Sequence, residues 1–331
     1  MPVLTSFLVV AASGGGQKRA WKRTTWWDTD YNSRWMDKRQ GGDMRDTLVA
    51  TIGTSVLTNF QQLASAQKFE TWASFQPAGE QPGLREAESL LKEAAHDLAK
   101  ERPENAAKTL NNLRFLPRVL GAEVASLSAL LQEPPYGGLK QAILLHSDTH
   151  DGALAAEFLA HFFHIRFGLH VQPRRVLELR DDVPGVFRTF GLRNLVKEFA
   201  RTVQDFGAGR LVFDATGGYK AQVALAVVVG QAFGVPVVYR FERFSEIIEL
   251  PPLPFTLDLE FFSSVRALLE KDKITSHDLA SALGQPLTDA NPAFARLSVA
   301  LAGPDGNNEY TLSPMGQLIL ELFKLRERNV L

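Results

Sequence analysis

The sequence predicts an α/β fold built on a mainly parallel sheet. Short apolar runs alternate with helical patterns from residue 46 to residue 250. Two of those runs, 48–52 and 235–238, are mostly apolar, as in strands covered on both faces. Three of the strands end in turns rich in glycine or hydroxyl residues, on the edge where such sheets gather ligands.

The elements follow in order. Residues 47–52 read as a buried strand, broken by Gly53-Thr54-Ser55, and 56–66 as a helix. Residues 86–100 form an amphipathic helix with Leu90, Leu91, Ala94 and Leu98 on one face, and 119–131 another. A strand at 141–146 leads through Ser147-Asp148-Thr149 into a helix at 152–167. Strand 170–177, helix 192–206 and strand 210–213 come next. Thr216-Gly217-Gly218 then opens a helix at 220–233, and strands at 235–240 and 247–250 close the pattern. Pro236 stands near a strand start, where a missing amide is tolerated. The proline-rich stretch 251–256 is a linker. Beyond it, helices at 257–270, 276–283 and 292–301, a turn at 303–308, a short strand at 309–312 and a helix at 313–324 give the order of a winged helix-turn-helix. Thr275 and Ser313 are placed as N-caps, with Pro314 at the first helical position. The domains expected are therefore 44–250 for the sheet and 257–331 for the winged helix. Residues 1–43, with Gly14-Gly15-Gly16 and a basic-aromatic stretch at 21–27, are expected to be a disordered arm or an overextended reading frame starting naturally at Met44.

The bulk numbers narrow the function. The chain has 331 residues, 45% apolar and 22% charged, with a net charge of −1. Those are values of an ordinary globular protein. Near-zero charge argues against broad binding to long nucleic acid, though not against a nucleotide in a local basic pocket. With no cysteine, disulfides and thiolate metal sites are excluded. No apolar run is long enough to span a bilayer. In the run 4–12 the basic residues follow the apolar ones, the reverse of a secretory signal. The expected location is cytoplasmic, with no membrane partner.

Two motifs carry possible phosphate chemistry. Gly53 lets the chain turn tightly after its strand, and Thr54 and Ser55 offer hydroxyls beside a helix N-terminus. The same residues would equally serve a plain strand-to-helix turn. In Thr216-Gly217-Gly218-Tyr219-Lys220, two glycines free the amides to form an anion-binding concavity. Lys220 opposes the helix dipole, which a bound phosphate would explain. The spacing is neither a Walker loop nor a dinucleotide fingerprint. Ser147, Asp148 and Thr149 could line the same crevice or simply cap their helix. His161, His164 and Glu157 lack a further ligand, so no metal is expected. No Gly-x-Ser-x-Gly elbow is present.

Taken together, Thr51 to Ser55 (Thr-Ile-Gly-Thr-Ser) and Asp214 to Ala221 (Asp-Ala-Thr-Gly-Gly-Tyr-Lys-Ala) resemble the CARF domain of CRISPR-associated proteins. Ala122-Glu123-Val124-Ala125-Ser126-Leu127 and Leu144 to Thr149 are similar as well. The resemblance covers roughly 45–250. It implies a Rossmann-like domain that dimerises and holds a cyclic oligoadenylate on the twofold axis. No HEPN ribonuclease motif accompanies it: the nearest pair, Arg166 and His170, has the wrong spacing and lies within the sheet domain. A CARF domain with a winged helix is similar to the stand-alone ring nucleases. By that resemblance Ser55 and Lys220 are the catalytic residues. Gly53, Thr54, Ser147, Asp148, Thr149, Thr216, Gly217, Gly218 and Tyr219 bind the ligand. The reaction implied is attack of a ribose 2′-hydroxyl on its own 3′-phosphodiester in cyclic tetra-adenylate. It gives a 2′,3′-cyclic phosphate and a 5′-hydroxyl, with no metal or other cofactor. Ser55 would orient the ribose or phosphate, and Lys220 would stabilise charge. The alternatives are a CARF sensor or transcription regulator that binds without cutting, and an effector ribonuclease with an unrecognised C-terminal nuclease. Lys271, Lys273, Lys324, Arg326 and Arg328 are offset by many acids, so DNA binding by the winged helix is not favoured.

Overall fold

The computed structural model describes residues 45–241, 246–251, 259–284 and 292–328. The expectation for residues 1–43 and most of the proline-rich linker lie outside the described residues. Residues 44–331 form one compact unit.

The first strand, β1 (Thr47–Thr51), leads into α1 (Ser55–Ser65). Four helices follow: α2 (Phe69–Ser74), α3 (Gln81–Glu86), α4 (Glu88–Ala99) and α5 (Pro103–Leu110). Then come α6 (Ala122–Leu130), β2 (Gln141–His146), α7 (His150–Phe167), β3 (His170–Arg175), α8 (Leu192–Phe206), β4 (Leu211–Asp214), α9 (Lys220–Phe233), β5 (Val237–Tyr239) and β6 (Ile248–Glu249). The six strands form one sheet in the order β3-β2-β1-β4-β5-β6, all parallel except β6. The expected mainly parallel α/β fold is therefore present.

Alternation along each strand sorts the side chains into two cores. Leu48, Ala50, Ala142, Leu144 and Val212 face a core completed by α1, α4, α5, α6 and α7. Val49, Ile143, Leu145, Leu211 and Phe213 face a second core completed by α8 and α9. The strand order and this division locate the switch point. After β1 the chain passes to one face, and after β4 it passes to the opposite face. Those two strands are neighbours, with Ala50 opposite Asp214. In sheets of this kind ligands bind outside the carboxyl ends of such a strand pair.

After the linker the chain forms α10 (Leu259–Ser264), α11 (Arg266–Leu269), β7 (Ile274–Thr275), α12 (Ser276–Leu283), α13 (Pro292–Ser298), β8 (Leu301–Ala302), β9 (Glu309–Leu312) and α14 (Pro314–Glu327). Strand β9 pairs antiparallel with both β7 and β8. Thr275 accepts from the Asp278 amide and Ser313 from the Gly316 amide, so both caps form. Helix α14 has two apolar faces. Ile319 and Leu320 lie in a third, local core, whereas Leu318, Leu322 and Leu325 complete the second core of the sheet.

Several local expectations are corrected. The helix expected at 119–131 begins only at Ala122, because Gly121 at φ +96° separates it from a 3-10 turn at Arg118–Leu120. The helix expected at 257–270 divides at Val265 within the described residues. Helix α7 starts two residues earlier than expected, at His150. Strand β5 is shorter than 235–240, since the Val235 amide is taken by Gly230.

Candidate functional site

Both glycine-bearing turns arrive at the switch point because β1 and β4 are neighbours in register. They touch. Thr51 Oγ1 donates to the Gly217 carbonyl at 2.5 Å. A Cβ on Gly53 would lie 3.2 Å from the Gly218 amide nitrogen, so glycine is what lets the turns approach. Gly218 itself sits at φ +94°, which other residues rarely adopt. Gly217 is buried between the turns.

The two residues to which the resemblance assigns catalysis occupy equivalent places. Ser55 is the first residue of α1 and Lys220 the first of α9, and both are exposed. Thr54, the N-cap of α1, makes no capping hydrogen bond, and neither helix carries an acid in its first turn. The leading amides of α1 therefore keep their donors for an anion. Lys220 makes no ion pair among the described residues. At α9, by contrast, the Tyr219 amide is held by Gln222 Oε1 at 2.6 Å.

The third turn is only partly joined to these. Ser147 is buried and bonds Thr149 Oγ1 at 2.8 Å. Tyr219 stands against the Phe187 ring and close to Ser147 and Asp181. Burial raises the Tyr219 hydroxyl, and Asp181 raises it further. Asp148 is committed elsewhere: it accepts from the Glu178 amide at 2.9 Å and pairs with Arg175 at 3.6 Å. Thr149 accepts from the Gly152 amide as the N-cap of α7. For Thr149 the capping reading describes the contact seen, whereas Asp148 ties its turn to the segment after β3.

A buried polar cluster beneath the turns was not expected from the sequence. Ser126 Oγ and Thr216 Oγ1 lie 3.1 Å apart. The Thr216 amide donates to Asp214 Oδ1 at 3.0 Å, and the Arg240 amide donates to Thr216 Oγ1 at 2.9 Å. Thr216 thus acts as a junction within the protein. Glu123, one helical turn before Ser126, accepts from the Gly53 amide at 2.9 Å. Burial raises the carboxyl pKa values of both Glu123 and Asp214, and Asp214 adds to the shift at Glu123. The available signal was Glu123 and Ser126, three apart on a mostly apolar helix, with an acid at the end of the apolar strand β4.

Among the described residues no group of three or more His, Asp or Glu is placed to hold a metal. Nor is any described helix long and apolar enough to cross a membrane.

Residues 118–253 match the family model of a CRISPR-associated protein, Cas_APE2256. The similarity is to CRISPR-associated proteins. It spans less than half of the chain, from just before α6 to the linker, and so includes Glu123, Ser126 and the Thr216–Lys220 turn but not Gly53–Ser55. Among solved structures, Can2 from Sulfobacillus thermosulfidooxidans, in complex with cyclic tetra-adenylate, aligns over 86% of this chain and 68% of its own. The identity is 9% and the TM-score 0.27, a superposition that fixes neither fold nor ligand here. No curated protein matches the chain.

Proposed function

We propose that this protein is a CARF-type CRISPR-associated protein that binds a cyclic oligoadenylate, cyclic tetra-adenylate first, and cleaves it as a ring nuclease. The observation carrying this reading is the meeting of two glycine turns at the switch point, each leading to an exposed helix start, one with Ser55 and one with Lys220. A homodimer would present that set twice, once to each half of the ring. Cleavage proceeds without metal. The 2′-hydroxyl of an adenosine attacks its own 3′ phosphorus, the bond to the next 5′ oxygen breaks, and a 2′,3′-cyclic phosphate and a 5′-hydroxyl result. Ser55 orients the ribose or phosphate, and Lys220 with nearby amides stabilises charge on the phosphorane. Neither is a strong base, so turnover is slow. The C-terminal unit serves as a winged helix with a structural role. Its cations Lys271, Lys273 and Lys324 are each paired with an acid of the same unit, which leaves little charge for DNA.

The test is incubation with cyclic tetra-adenylate in EDTA, with products separated by chromatography. Linear products ending in 2′,3′-cyclic phosphate are expected. Lys220→Ala and Ser55→Ala are expected to bind the ring but cut it at least about a hundredfold more slowly, the range for losing one charge-stabilising group. A ring left intact at enzyme excess overturns the cleavage reading.

A further inference from the structure

One buried carboxyl at the site has no part in the reading above. Glu123 is 3% exposed. Its Oε1 takes the Gly53 amide, and its Oε2 is buried without a partner. A Cβ on Gly217 would collide with this carboxyl. One on Gly121 would come within 3.1 Å of Oε2 and 3.5 Å of Ser55 Oγ. The carboxyl therefore fills the space among three turns, and its free oxygen borders the same point as the Ser55 hydroxyl.

A buried acid can be a plain structural post, but two features argue otherwise here. The fold already ties α6 to β4 through Ser126 and Thr216, one helical turn away. And a post would have both oxygens satisfied, since buried polar atoms almost always are. We propose that Glu123 is a positioning residue of the oligoadenylate site: it spaces the β1 turn from the β4 turn through the Gly53 amide, and with the ring bound its free oxygen bonds Ser55 Oγ and aims that hydroxyl at the ligand. The inference rests on the oligoadenylate reading for its ligand, though not for the Gly53 contact. Burial, reinforced by the neighbouring Asp214, favours the neutral carboxyl. A neutral acid adds no repulsion towards a phosphate and can donate to the serine oxygen.

The experiment compares the wild-type chain with Glu123→Gln, Glu123→Ala and Glu123→Met. It measures the Kd for cyclic tetra-adenylate by calorimetric titration and hydrogen exchange at the Gly53 amide by NMR. Glutamine keeps an acceptor for Gly53 and a donor for Ser55, so it restores affinity to within about threefold. Alanine and methionine each weaken binding about tenfold or more and speed Gly53 exchange about tenfold, the effect of one lost hydrogen bond. Methionine fills the cavity without hydrogen bonding, so it decides the matter if alanine unfolds the chain. Folded methionine or alanine variants with unchanged Kd overturn the proposal. If the wild type binds no cyclic tetra-adenylate, the oligoadenylate reading fails, and Gly53 exchange still decides: unchanged exchange in Glu123→Met overturns the spacing role.

Discussion

Substituting Gly218 by alanine tests the geometry of the switch point most directly. The residue holds φ +94°, beyond even the left-handed helical region that L-residues occasionally enter. A side chain there stores about 1–3 kcal/mol of backbone strain. It also collides with Gln222 Oε1 and comes 3.2 Å from Thr51 Cβ. Gln222 is fully buried and its Oε1 holds the Tyr219 amide at 2.6 Å, so moving it forfeits that bond. The lost bond adds about 0.5–1.5 kcal/mol. Together the two effects come to about 2–4 kcal/mol, a fall in Tm of about 3–7 °C for a unit of this size. Differential scanning calorimetry provides the measurement, and Gly168→Ala the control. Gly168 also has a positive φ, +70°, yet a Cβ there meets nothing within 4 Å. It carries only the backbone effect, about 1 kcal/mol. If Gly218→Ala destabilises no more than Gly168→Ala, the packing of the turn against Gln222 is not as described.

Two further predictions concern stability. Asp214 and Glu123 both have folded carboxyl pKa values raised by burial, so the native state binds their protons more tightly than the unfolded chain. Stability from these groups is present below the ordinary carboxylate range and is lost as pH rises through the folded values, at about 1.4 kcal/mol per pH unit for each group. Asp214→Asn is expected to make urea midpoints fall less steeply as pH rises above the ordinary carboxylate range, and an unchanged slope refutes the assignment. His146 has the opposite sign, its pKa being lowered by burial from the ordinary 6.5, so its contribution is lost as pH falls; it is common to both proteins and cancels in the comparison. Leu322→Ala, in the face of α14 that completes the sheet's second core, is expected to cost about 2–5 kcal/mol. Calorimetry should show one cooperative transition shifted as a whole; two separate transitions would mean that the sheet and the C-terminal helices do not share a core.

The strand-helix alternation was legible because each element carries its own period. Helices 192–206, 220–233 and 276–283 were read with their observed bounds. Helices α2, α3 and α5 were missed. They are six to eight residues long, and two of them carry a proline in the first turn, Pro82 or Pro103, which leaves too few turns for a periodic signal. The adjacency of β1 and β4 is not local information at all, since the hydrogen bond from Thr51 to Gly217 spans 166 positions. The same limit hid Glu123, which meets Gly53 across 70 positions. This changes the physical account of the glycines themselves. Turn chemistry assigns Gly217 and Gly218 a single purpose, freeing amides for a phosphate. The structure separates them. Gly218 is required by its own backbone angle. Gly217 is required because the Glu123 carboxyl already occupies the place of its Cβ. A glycine pair that reads as a ligand motif is thus also a packing motif. The group that Gly217 packs against, the Glu123 carboxyl, lies on a helix far away in the sequence.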